Sequence, residues 1–216
     1  MRRDVTGGIL LIAGSLVGVM VLSLHPTGRD LLTSADASRQ ALLSMMVHAL
    51  ALAGLPMLFL GQLGLARRLG SSHLTTSALV VYGFGGVAVL SAAVVSGFVS
   101  TPITQRILAA EGPTREMYKA LLMYSGLLNH GFANVSVVAS SAAILLWSVA
   151  IIRSKQMTRA VGFAGIVVST GVLLAFLSGH LGLDVHGFGL ITFAQSAWMI
   201  WLGILLCRAT GSSRPE

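Results

Sequence analysis

The chain has 216 residues, 55% of them hydrophobic and 10% charged, with a mean hydropathy of +0.85. Soluble domains carry about 25% charged residues, so a surface facing water on all sides is excluded and one integral membrane domain over residues 1–216 is expected. The single cysteine, Cys207, excludes an intrachain disulfide and a cysteine-cluster metal site. The net charge of +7 resembles a nucleic-acid signal until the placement of the cations is considered.

The first apolar stretch, residues 7–25, is too long for the roughly 7–15-residue core of a signal peptide, and no small-x-small cleavage site follows it. It is read as a retained membrane helix. A connection over 26–43 leads to a second span at 44–65, which Pro56 kinks at most. The short link "ARRLGSSHLTT" leads to a third span at 77–99. The segment 100–127 is long for a connection, and Gly112-Pro113 divides it. Its first piece, Ile103–Ala110, is expected as a short helix; a second start at Thr114 runs on into the fourth span, 128–151. This segment is a candidate lid over the outer face.

The link "RSKQMTR" precedes a fifth span at 160–180, and "SGHLGLDVHGFG" joins that to a sixth at 187–207. Each span meets the requirement of about 20 apolar residues for a core of about 30 Å. Strand alternation is absent, and backbone groups in lipid must be paired internally. The expected fold is therefore all-α, a polytopic bundle of six transmembrane helices. "AGSLVG", "GFGGVAVLSAAVVSG" and "GFAGIVVSTG" carry the small residues that let such helices approach.

The cations set the orientation. Arg2, Arg3, Arg67, Arg68, Arg153, Lys155, Arg159, Arg208 and Arg214 fall on one side; Arg29, Arg39, Arg106, Arg115 and Lys119 fall on the other, where five carboxylates balance them. Both termini are expected in the cytoplasm, in a bacterial inner membrane. The excess positive charge then faces anionic lipids rather than nucleic acid. Oligomeric state, and membership of a larger membrane complex, stay open.

Depth organises the histidines. Arg3 to His25, His48 to Arg67, His130 to Arg153, Arg159 to His180 and His186 to Arg208 are each separated by 19–23 residues. At 1.5 Å per residue this is about 28–35 Å, the thickness of the hydrocarbon core. Five histidines from five helices therefore share the outer boundary with Asp184, while His73 lies at the inner side as a solvated loop residue.

Imidazole is the commonest metal ligand, and histidine with aspartate suits Zn, Cu or Fe. The candidate ligands are His48, His130, His180, His186, Asp184 and His25, the last being the one most readily lost because Pro26 fixes a turn that points its ring to water. Asn129, Asn134 and Ser44 are candidate partners that orient the imidazoles, with Ser44–His48 and His130–Asn134 at i,i+4 spacing. Gln62 and Gln195 are expected as interhelical links. The plain alternative is that histidine suits an interface by its mixed chemistry and decorates it without a site.

No Asp, Glu, Lys or Arg falls in the middle of a span, which weakens a transporter or proton-relay reading. The nucleophile and metalloprotease signatures G-x-S-x-G and H-E-x-x-H are absent. Three functions stay open. The first is a metal-binding membrane protein, with a site that acts on a small or lipid-soluble substrate if it is a metalloenzyme. The second is a haem b electron-transfer protein, an oxidoreductase partner by architectural analogy with membrane b-type cytochromes, its ligands His48 with His130 or His130 with His180. The third is an accessory subunit without a site. The orientation is testable: cysteines introduced as Ser34→Cys or Ala109→Cys are expected to react with an impermeant thiol reagent added outside intact cells. Ser71→Cys and Ser213→Cys are expected to stay unlabelled, and the reverse pattern overturns the assignment.

Overall fold

The computed structural model describes residues 4–26, 31, 36–70, 72–154, 156–183 and 185–208. Among them seven α-helices follow in order: α1 Val5–Leu24, α2 Ala37–Leu69, α3 His73–Val94, α4 Thr101–Ala109, α5 Gly112–Ser154, α6 Arg159–Leu177 and α7 Val185–Cys207. A π-helical turn, Val95–Ser100, joins α3 to α4 without a break. No strand occurs among the described residues. With α3, the π turn and α4 counted as one stretch, six helices are long and apolar enough to cross a membrane. The chain has the make-up of an integral membrane protein.

The helix starts follow from capping chemistry. Asp4 accepts from Gly7 N–H at 2.8 Å to open α1, and Asp36 accepts from Arg39 N–H at 3.3 Å to open α2. Ser72 and Thr75 form a reciprocal capping box at α3. Gly70 (φ 87°) stands where α2 stops and Gly112 (φ 53°) where α5 begins, left-handed conformations that cost glycine nothing. Pro56 is contained within α2, which continues through it.

The six spanning stretches pack as a closed ring in the order α1, α2, α3, α5, α6, α7 and back to α1. Glycines set how closely neighbours approach. Between α1 and α2 a methyl group added to Gly7 would meet Gly64 backbone, one on Gly61 would meet Leu11, one on Gly14 would meet Leu58, and one on Gly54 would meet Val17. These contacts fix an antiparallel register from the basic end of the bundle, near Arg67, towards the other. Between α1 and α7 the same role falls to Gly8 and Gly203, each within 2.7 Å of where the other's carbonyl oxygen would touch an added Cβ. The main core lies towards the basic end and includes Leu11, Leu65, Ile144, Trp147, Trp198 and Leu202. Trp198 Nε1 donates to the Val161 carbonyl at 2.9 Å, tying α7 to α6.

Helices α2 and α5 have 33 and 43 residues, or about 50 and 65 Å, well beyond a hydrocarbon core of about 30 Å. The extra length at the end away from Arg67 forms a hairpin of α4 with the start of α5. It docks on the first turn of α2, where Gln105 Nε2 donates to the Ala37 carbonyl at 3.2 Å. The Arg106 guanidinium lies 5.8 Å from the centre of the Tyr118 ring. The segment 100–127 is thus almost wholly helical, broken only around Ala110 and Glu111.

Two polar residues expected as interhelical links behave differently. Gln195 Nε2 donates to Ser141 Oγ at 3.1 Å and links α7 to α5. Gln62 is 0% exposed and neither of its amide atoms has a hydrogen-bond partner among the described residues. The glycine seam is testable: Gly8→Val is expected to lower the thermal midpoint of the purified protein clearly, because a side chain there meets the backbone of α7. Gly171→Ala, where an added Cβ finds nothing within 4 Å, is expected to leave it nearly unchanged.

Candidate functional site

The α1–α2 register ends on a pair of imidazoles. His25 caps α1 and His48 sits on the inward face of α2, 4% exposed. Their Nε2 atoms lie 3.1 Å apart, with ring centres 4.7 Å apart and planes at 73°. Each ring is held from behind by a carbonyl: His25 Nδ1 lies 2.8 Å from the Pro26 oxygen and His48 Nδ1 lies 2.6 Å from the Ser44 oxygen.

This arrangement fixes the tautomers. A carbonyl oxygen only accepts, so both Nδ1 atoms carry hydrogen. A neutral imidazole has one N–H, so both Nε2 atoms are then acceptors, and they face each other at hydrogen-bond distance. Two lone pairs in that position require something positive between them, a proton or a metal ion. An Nδ1–H bonded to a backbone carbonyl is also the usual orientation of a histidine that ligates through Nε2.

The support around His48 is built. Ser44 Oγ and Thr101 Oγ1 are 2.9 Å apart, and Thr101 Oγ1 donates to the Ser96 carbonyl at 3.3 Å. A Cβ on Gly97 would collide with the Cβ and Cγ of His48, so the imidazole packs directly on the backbone of the π turn. Such turns are frequently found at functional sites, and only glycine admits a ring this close.

Below the pair lies a cavity of about 250 Å³, bounded by α1, α2, α3, α5 and α7. Its walls are mainly apolar. The polar lining includes His25, His48, Ser96 and Asn129 near one end, and Tyr82, Gln195 and Ser196 farther in. No Asp, Glu, Lys or Arg lines it among the described residues.

The other candidates lie elsewhere. His130, His180 and His186 are exposed; His180 Nδ1 is bonded to Ser178 Oγ at 2.9 Å. Among the described residues no three of His, Cys, Asp and Glu form a group able to hold a metal. Asp184 lies outside the described residues. Asn129 is half-buried on the cavity wall, Asn134 is exposed, and His73 is exposed as the first residue of α3. The expectation that Pro26 turns His25 to water is corrected: the turn supplies the carbonyl that holds the ring against His48. Shared depth placed five histidines at one level but did not say which faced inward, and rotation about the helix axis separates His48 from His130. The segment 100–127, expected as a lid, contributes no residue to the cavity lining.

Gly97, Thr101 and Ser96 were not singled out by sequence. The spacing of Gly97 from His48 carries no signal until the π turn brings them together. No protein-family model matches the chain, nor does any curated protein or any solved structure. Thr101→Val removes the partner of the buried Ser44 hydroxyl and is expected to cost about 1–3 kcal/mol, measured by reversible unfolding in mixed micelles.

Proposed function

We propose that this membrane protein binds a divalent transition-metal ion through Nε2 of His25 and His48, at the end of the bundle opposite its basic residues. The observation that carries the reading is the pair of Nε2 lone pairs 3.1 Å apart, each fixed by a carbonyl behind it. An ion about 2.0–2.1 Å from each nitrogen would subtend an angle of roughly 100°, close to tetrahedral. Nitrogens at this separation could be held by one such ion, which would then serve as a Lewis acid. Zinc, copper and iron all accept imidazole.

The cation distribution supports cytoplasmic termini, which puts the pair at the outer leaflet of a bacterial inner membrane, with the basic end against anionic lipids. Two imidazoles leave coordination positions open, and an open position is what lets a bound ion polarise or bind a further molecule. The apolar cavity beneath makes that molecule small or lipid-soluble.

Equilibrium dialysis against Zn²⁺ or Co²⁺ of the protein in lipid nanodiscs tests the reading. One ion per chain is expected, with Co²⁺ giving the visible bands of a near-tetrahedral site. His25→Ala and His48→Ala are each expected to weaken binding at least about tenfold. Gly97→Ala, which drives its methyl into His48, is expected to weaken it too, and His73→Ala to leave it unchanged. Losses in His130→Ala, His180→Ala, His186→Ala or Asp184→Asn would widen the ligand set. A wild-type protein that binds no ion, or His25 and His48 variants that bind like it, would sink the proposal.

A further inference from the structure

We infer that the cavity is the binding site of a single-chain lipid acid, its hydrocarbon tail between the helices and its carboxylate at the His25–His48 pair. The inference deepens the metal reading and rests on it for the head group alone.

The dimensions point to a chain. The lining runs from Ser96 in the π turn to Tyr82 on α3, and from Val185 to Met199 on α7. Fourteen residues of helix in each case correspond to about 21 Å. A single leaflet of the hydrocarbon core is about 15 Å deep, so the cavity is long enough for one lipid tail, and its walls offer that tail an apolar surface. A 150 Å³ apolar cavity in a soluble protein already takes up benzene; at about 250 Å³ this one has room for more. Glycines supply part of the space: a Cβ added to Gly86 finds nothing within 4 Å, and one on Gly18 finds only Thr192 at 3.8 Å.

Charge points to the head. Two neutral imidazoles leave a divalent ion with its full charge in a poorly solvated place. Among the described residues the lining holds no Asp, Glu, Lys or Arg, and Asp184, between the lining residues Leu183 and Val185, lies outside them. A carboxylate arriving on the ligand supplies both the negative charge and an oxygen donor.

The test is photolabelling in nanodiscs with a hexadecanoic acid that carries a diazirine near its tail, followed by peptide mass spectrometry. Saturable labelling of the deep wall, at Met199 or Tyr82, is expected. Unlabelled hexadecanoic acid is expected to compete and hexadecane to compete poorly. Gly86→Leu, which grows into open space, is expected to cut deep labelling at least fivefold while Zn²⁺ binding stays at the wild-type level. His48→Ala is expected to lose both. The cavity inference is overturned if labelling falls only on lipid-facing positions such as Val87 and Val167, or if Gly86→Leu labels as the wild type does. Equal competition by hexadecane overturns the carboxylate assignment. If deep labelling is saturable and selective for the acid in a protein that binds no Zn²⁺, the metal reading fails by itself and the lipid-acid site stands.

Discussion

The close approach of α1 to α2 is the contact on which the rest of the molecule depends. In lipid there is no hydrophobic force to drive two apolar helices together, so association relies on dispersion between surfaces that fit. Gly7 against Gly64, Gly61 against Leu11, Gly14 against Leu58 and Gly54 against Val17 provide that fit over most of α1. The register they impose carries His25 to His48 at the far end. A slip of one residue would rotate His48 by about 100° and turn it away from its partner.

The same helices also explain why the interior is not filled. Close packing of α1 against α2 and α7 concentrates the core at the basic end, around Leu11, Trp147 and Trp198. Farther along, glycines, alanines and serines such as Gly18, Gly86, Ala51 and Ser140 alternate with larger apolar side chains around the cavity. The π turn adds one residue to a helical turn and brings Gly97 under the His48 ring, so the wall is closest where the imidazole must be held and more open below. A rigid pair of nitrogens above an apolar space suits a molecule with one polar end.

Much of the fold was legible in the chain. Runs of about 20 apolar residues announce the six spans because lipid accepts few alternatives, and Gly112-Pro113 marks the break between α4 and α5. The long continuation of α5 from the hairpin into its apolar span follows from an unbroken helical pattern after Thr114. The form of the hairpin was less legible, because amphipathic sequence reads equally as a cover or as an extension of the bundle.

Composition and periodicity determined by themselves that this is a membrane protein of six apolar helices. Depth is a one-dimensional quantity, and a residue count from a basic terminus addresses only that dimension. Which histidines face one another is a question of rotation and helix order, and only the tertiary structure decided it. It chose His25 and His48, left His130, His180 and His186 exposed, and recruited Gly97 through a π turn that no local pattern announces. The physical reason is that helix neighbours in a ring are selected by the fit of small residues along whole faces, a property of pairs of helices rather than of either one alone.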